Sequence, residues 1–267
     1  MALKNTLLLL LAAALGAVAG PVTRRPAELP VAVIEGASKN LDSLELPQAN
    51  KAILLFRSRL GENGTNALIA PDVAAADVFW HETLARSTTG KFVGGTMRAQ
   101  GYAPRAFFNS TTVARWFYLG GTGWPNDFLQ SSPEHYLSLS GPGVRDPKAA
   151  IESIENWGPG PITYFRGIPE PRPDFLPALP EFPADFQSAL ALHLADDTVF
   201  AHTLTAFRDL PGGHGVEIYQ GIWIPDSAPA DVLQGLRAHI TVEFSNWLKL
   251  AYKKALKEAP TTAYPTY

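Results

Sequence analysis

The hydrophobic pattern is sharpest in the C-terminal third of the chain. Thr198 to Phe207 (TVFAHTLTAF) and Val216 to Ile224 (VEIYQGIWI) have the β-branched, aromatic and aliphatic composition of strands. Between them, Asp209-Leu210-Pro211-Gly212-Gly213-His214-Gly215 supplies turn chemistry for an antiparallel pair. Pro225-Asp226-Ser227 ends the second run, and Asp226 or Ser227 is placed to cap a long helix from Pro229 to Glu258. Leu233, Leu236, Ile240, Phe244, Trp247, Leu248 and Ala251 form its apolar stripe, and Lys253, Lys254 and Lys257 suit the macrodipole near its C-terminus. A hairpin followed by a long amphipathic helix predicts an α+β fold, with an antiparallel sheet packed by the C-terminal helix.

Upstream the periodicity is weaker. Ala52 to Leu60 is compatible with a strand or a buried helical turn, since a run this short does not decide. Val73, Ala76, Trp80 and Leu84 recur at helical spacing after Pro71-Asp72. Gly90 to Gly101 is Gly-rich and basic, Ala114 to Leu119 has strand composition, and Asp127 to Leu139 reads as a helix or loop. Pro147 to Trp157 reads as a short helix stopped by Gly158-Pro159-Gly160-Pro161. Residues 168–183 hold six prolines and apolar side chains that need burial, among them Phe175, Leu176, Leu179 and Phe182. A polyproline-like strap across one core fits that composition better than a flexible linker.

The first nineteen residues change the picture. Lys4, the apolar run Leu7 to Leu15 and the small-x-small triplet Ala17-Val18-Ala19 have the order of a secretory signal peptide. The run is shorter than the ~20 residues a spanning helix needs, so no stable membrane insertion is expected after cleavage. The expected organisation is a signal peptide over 1–19, an irregular leader over 20–50, a single α+β domain over 51–258 and a tail over 259–267. Entry into the secretory pathway gives meaning to two N-x-S/T sequons, at Asn63 and Asn109. Cysteine is absent, which excludes disulfides, thiolate nucleophiles and Cys-held metals. A net charge of −3 without a basic stripe argues against a nucleic-acid partner.

Signature motifs are missing: there is no GxSxG elbow around Ser132, Ser138 or Ser140, no GxGxxG, no P-loop and no HExxH. Candidate chemistry therefore rests on histidines and carboxylates. If the second strand turns Glu217, Tyr219 and Trp223 inward, with His202 on its neighbour, a cavity gains a carboxylate, a phenol, an indole and an imidazole. Glu217 or His202 would then move a proton, Tyr219 would bond a developing oxyanion and Trp223 would pack on substrate. The competing expectation makes the same face the wet side of a half-buried strand. His239 and Glu243, four apart on the terminal helix, are the second acid–base candidate and have ligand spacing; no metal and no cofactor are expected. Trp116, Tyr118 and Trp124 are candidates to line an apolar pocket. Trp80-His81-Glu82 reads as one buried indole beside a solvated pair.

The stretch VEIYQGIWIPDSAPADVLQGLRAHITVEFSNWL, behind a signal peptide and without a cofactor motif, resembles fungal secondary-metabolite cluster proteins of the ketosteroid-isomerase-like cyclase and cofactor-independent dehydratase kind. The resemblance implies a secreted enzyme that steers dehydration, isomerisation or cyclisation of a hydrophobic polyketide- or terpenoid-like intermediate. Two other readings stand beside it: a non-catalytic secreted protein that binds a hydrophobic small molecule or cell-wall component, and a hydrolase with an unrecognised site.

Overall fold

The computed structural model describes residues 31–35, 47–103, 108–119, 124–140 and 145–258. The expected signal peptide over 1–19 and the expected tail over 259–267 lie outside the described residues. Eight strands form one antiparallel sheet: β1 (Val31–Glu35), β2 (Phe92–Tyr102), β3 (His135–Ser140), β4 (Ile151–Glu155), β5 (Thr163–Glu170), β6 (Gln187–His193), β7 (Val199–Asp209) and β8 (Gly215–Pro225). Their spatial order is β1-β2-β8-β7-β6-β5-β4-β3. Among the described residues four α-helices accompany them: α1 (Pro47–Arg86), α2 (Ser110–Leu119), α3 (Trp124–Ser131) and α4 (Ala230–Glu258). The expected α+β architecture is present, with the β7–β8 hairpin at the centre and α4 packed on the sheet.

Alternation sets the two faces. Val216, Ile218, Ile222 and Ile224 of β8 point to the face that α4 covers, where Leu236, Ile240, Phe244, Trp247 and Leu248 join them in the main core. Trp80 of α1 is fully buried in the same core, while His81 and Glu82 are exposed. Glu217, Tyr219 and Trp223 point the other way, and that face is not wet. Leu176, Leu179 and Phe182 of the Pro-rich strap close over Tyr219 and Trp223 in a second core. The Trp223 indole lies against Gly94 of β2 and Gly221 of its own strand, so tightly that a Cβ at either glycine would overlap the ring. This is what the glycines of β2 provide on the strap side.

Several expectations are corrected. Ala114 to Leu119 is helical, in α2, because Asn109 caps the turn: its Oδ1 accepts from the Thr112 amide at 2.8 Å, and Asp209 accepts from the Ser110 amide at 2.7 Å. Leu137, Ile154 and their neighbours are strands, since β4 is sandwiched between β3 and β5 and its ladder overrides a weak local pattern. Pro71 lies inside α1, which continues from Pro47 across a break at Gly61 (φ 66°). Within the expected leader, Val31–Glu35 pairs with β2 as a strand. Asp226 and Ser227 do not cap α4. Asp226 accepts from the Thr88 amide at 3.0 Å, and the Ser227 hydroxyl donates to the Thr83 carbonyl at 2.7 Å, so both tie the start of α4 to the end of α1. Strict alternation along β7 would put Phe200 on the face of His202, but a bulge opposite Leu192/His193 sends Phe200 to the main core against Trp80 and leaves His202 beside Phe92.

Candidate functional site

The Glu217 set lies under the strap, away from the α4 face. Glu217 accepts from Gln100 at 2.5 Å, from Arg208 at 3.0 and 3.1 Å, and from Arg98 at 3.4 Å. Arg98 and Arg208 also stack on Phe182, so the carboxylate is the hub that fastens the strap to the sheet. Tyr219 is buried there, and burial with the nearby Glu35 charge pushes its phenol up to about 12. His202 bonds Glu170 through Nδ1 at 2.6 Å and meets Phe92 and Phe175 edge-on. These residues form a structural network on one face. His202 and Trp223 are cross-strand partners, but neither Glu217 nor Tyr219 contacts the imidazole in any bond found there.

The second pair is placed differently. The middle of α4, from Thr241 to Leu248, is buried all round, because α3 and the β3–β4 ladder cover the flank that the sheet leaves. His239 and Glu243 are on that flank, 2% and 5% exposed. Facing them are His135 of β3 and Glu155 of β4, which are opposite each other in the ladder. The two Nε2 atoms of His135 and His239 are 3.2 Å apart. The His239 Nε2 is 3.5 Å from oxygens of both Glu155 and Glu243, and the His135 Nε2 is 4.0 and 3.9 Å from the same two carboxylates.

Every member is held from behind. The His135 Nδ1 lies 2.8 Å from the Phe128 carbonyl, which only accepts, so Nδ1 carries the proton and Nε2 offers its lone pair. The His239 Nδ1 donates to Glu134 at 2.8 Å. Ser153 donates to Glu155 at 2.6 Å, Trp157 donates to it at 3.0 Å, and Trp247 donates to Glu243 at 3.1 Å. Glu134 is itself set by the Gly158 amide at 3.0 Å. Burial draws the His239 pKa down, but hydrogen bonds with Glu134, Glu155 and Glu243 outweigh it and hold the imidazole well above its ordinary value. Burial dominates at His135, whose pKa is lowered despite Glu155 and Glu243. Burial raises Glu155, yet the imidazoles of His135 and His239 and the Ser153 hydroxyl hold it below the usual carboxylate range. With His135 neutral, the positive charge in the cluster sits on His239.

The cluster forms one end of a cavity of about 110 Å³ between the sheet and α4. Glu155 and Glu243 line it, together with Phe117, Phe128, Phe165, Leu190, Leu192, Ile222 and Phe244, and with Thr203, Thr205 and Gln220 at another point of the wall. An apolar chamber with two carboxylates at one end can orient a ligand by its polar atom and exchange protons with it. Trp116 is buried against Trp247 and is not among the lining residues; the side chains of Tyr118 and Trp124 lie outside those described. Asn63 is exposed on α1, and Asn109 is half-buried as the α2 cap. No helix among the described residues is long and apolar enough to cross a membrane.

Sequence reasoning reached His239 and Glu243 through their spacing and missed His135, Glu155 and Glu134. Their signal was the strand alternation of β3 and β4, and reading Pro147 to Trp157 as a helix hid it.

No protein-family model and no curated protein sequence matches the chain. Among solved structures, Ara h 8.0201 aligns over 60% of this chain and 99% of its own, with a TM-score of 0.38 and 11% identity. A Staphylococcus aureus protein of unknown function aligns over 62% of this chain and 95% of its own, with a TM-score of 0.34 and 10% identity. A Chromobacterium violaceum protein aligns over 58% of this chain and 97% of its own, at 0.28 and 14%. Likeness this slight has no bearing on what the chain binds.

Proposed function

We propose that the chain binds a small hydrophobic molecule in the cavity between the sheet and α4 and acts on it by acid–base chemistry. The observation that carries the reading is the pair of buried carboxylates, Glu155 and Glu243, at one end of an otherwise largely apolar chamber, each backed by an imidazole. A chamber of about 110 Å³ is of the order of the ~150 Å³ engineered cavity that takes benzene. It therefore suits a single ring or a short branched chain. A larger polyketide- or terpenoid-like intermediate would enter only in part. In this reading Glu155 and Glu243, which line the chamber, exchange a proton with carbon or oxygen of the ligand, and His239 behind them supplies the balancing positive charge. Dehydration and proton-shift isomerisation need that exchange, and the signal-peptide pattern of the first nineteen residues supports the secretory pathway as the place of the reaction.

Binding is tested by thermal shift with a panel of single-ring and short-chain hydrophobic compounds on the wild type and on Ile222→Trp, which fills the chamber. Stabilisation of the wild type that disappears in Ile222→Trp is expected. Stabilisation that persists in the filled variant, or none with any compound, overturns the reading. Catalysis is tested by deleting the gene in its host and comparing culture extracts by mass spectrometry. An accumulating precursor that differs from a lost product by water or by isomerism is expected. An unchanged profile removes the catalytic half and leaves a binding protein.

A further inference from the structure

We infer that His135, His239, Glu243 and Glu155 form a binding site for a zinc-type divalent transition-metal ion. Four features of the cluster point there, and none depends on whether the cavity takes a ligand. The first is where the lone pairs aim. Both imidazoles turn Nδ1 outward to an acceptor, Phe128 O for His135 and the Glu134 carboxylate for His239. Both Nε2 atoms then converge on one point. A metal-ligating histidine is held in this way, its far nitrogen donating to a carbonyl or carboxylate that fixes tautomer and ring orientation.

The second is spacing. A tetrahedral ion at about 2.0–2.1 Å from its donors separates them by about 3.3–3.4 Å. Here the separations are 3.2 Å between the imidazoles, 3.5 Å from His239 to each carboxylate, and 3.9 and 4.0 Å from His135 to the same carboxylates. His135, His239 and Glu243 each bring one donor atom within 4.8 Å of the others, and Glu155 stands beside that trio, 3.5 Å from His239. The third is charge. Two carboxylates that are 4% and 5% exposed lie out of water beside the charged His239, and a dication that displaces the proton from His239 Nε2 leaves both imidazoles neutral and balances both carboxylates. The fourth is donor type. Two imidazoles and two carboxylates suit zinc and its neighbours, whereas magnesium and calcium sites are built from oxygen donors. The carboxylates also line the cavity, so an ion held between them would face whatever the cavity contains.

The site is built in depth as well. Trp157 and Ser153 orient Glu155, and Trp247 orients Glu243, which are the supports a metal ligand needs to keep its geometry. The motif is legible as His-x-x-x-Glu on α4 facing a cross-strand His/Glu pair.

The test exposes the purified full chain to Zn2+, removes unbound ion by desalting and measures retained zinc by elemental analysis. Co2+ loading supplies an independent readout in the intense visible bands of four-coordinate cobalt. One ion per chain is expected in the wild type, with loss of retained zinc and of the cobalt bands in His135→Gln and His239→Gln. Absence of stoichiometric metal in the wild type overturns the inference, and so does retention in both variants, which would put the ion elsewhere. If either variant fails to fold by circular dichroism, Glu134→Gln decides, because its side chain is partly exposed and, apart from the Gly158 amide, reaches the cluster only through His239 Nδ1. A roughly 10- to 100-fold weaker zinc affinity is expected there, and an unchanged affinity overturns the site.

Discussion

His239 touches three carboxylates at once, Glu134 at 2.8 Å and Glu155 and Glu243 at 3.5 Å each. Its removal would leave two of those carboxylates buried with no cation in reach. Taking one partner out of a buried ionic group costs about 3–5 kcal/mol, because the charge left behind cannot be resolvated. His239→Ala in metal-free buffer is therefore expected to lower unfolding stability by that amount, read as a fall in the urea midpoint at unchanged m. Exposed pairs behave otherwise. His81 and Asp196 meet at 2.9 Å with side chains about half exposed, where water screens them and the bond is worth little. Arg57 is an intermediate case: it donates to the Leu129 and Pro133 carbonyls, each at 3.0 Å, and burial lowers its pKa to about 10. It thereby fixes the exit of α3 just before His135, linking α1 to the cluster without touching it.

At the scale of elements, the close approach of the β4–β5 loop to α4 sets where the cluster can form. Gly158, at φ 62°, faces Gly235, and a Cβ on Gly158 would stand 2.7 Å from the Gly235 Cα. Gly235→Ala has no room either, since its Cβ would overlap Pro159 and meet the Trp157 carbonyl at 2.7 Å. The helix must move, at a cost of about 1–3 kcal/mol. The same shift draws the Gly158 amide from Glu134, so Gly235→Ala is expected to lower both the melting temperature and the cavity's affinity for its ligand, checked by calorimetry and titration. Gly158 reads in sequence only as a breaker and Gly235 does not stand out, because a helix–loop contact leaves no period to read. The hairpin β7–β8, α4 and the strap were legible, since their patterns are long and agree with their local turn chemistry. β3 and β4 were not: at six and five residues, with Ser and Glu among them, they carry a strand pattern only in the context of their ladder. Helix α2 was misread because ARWFYL is aromatic-rich, and the cap that makes it helical, Asn109, also belongs to a sequon. The His239/Glu243 half of the site was thus readable from helical spacing, and the His135/Glu155 half waited on strand pairing.

At the scale of the molecule, the sheet is covered on both faces, by α4 on one and by the proline-punctuated chain of residues 171–183, which follows β5, on the other. The two coverings do different work. The helix side encloses the cavity of about 110 Å³ and the ionic cluster, whereas the strap side buries Glu217 and Trp223 and leaves a separate hollow beside Glu170, Arg172 and Leu204. Leu176 of the strap is 1% exposed, and Leu176→Ala is expected to cost about 2–5 kcal/mol while leaving ligand affinity in the cavity unchanged. Equal losses of stability and affinity in a calorimetric titration would contradict that division. The indoles add one more consequence. Trp157 and Trp247 both donate their N–H to glutamates of the cluster, and both rings are fully buried. An indole's emission follows the field along its long axis, so the two chromophores are wired to the charge state of the site. Binding at the cluster is therefore expected to shift the emission of these two among the chain's six tryptophans, a change that the pair Trp157→Phe and Trp247→Phe removes.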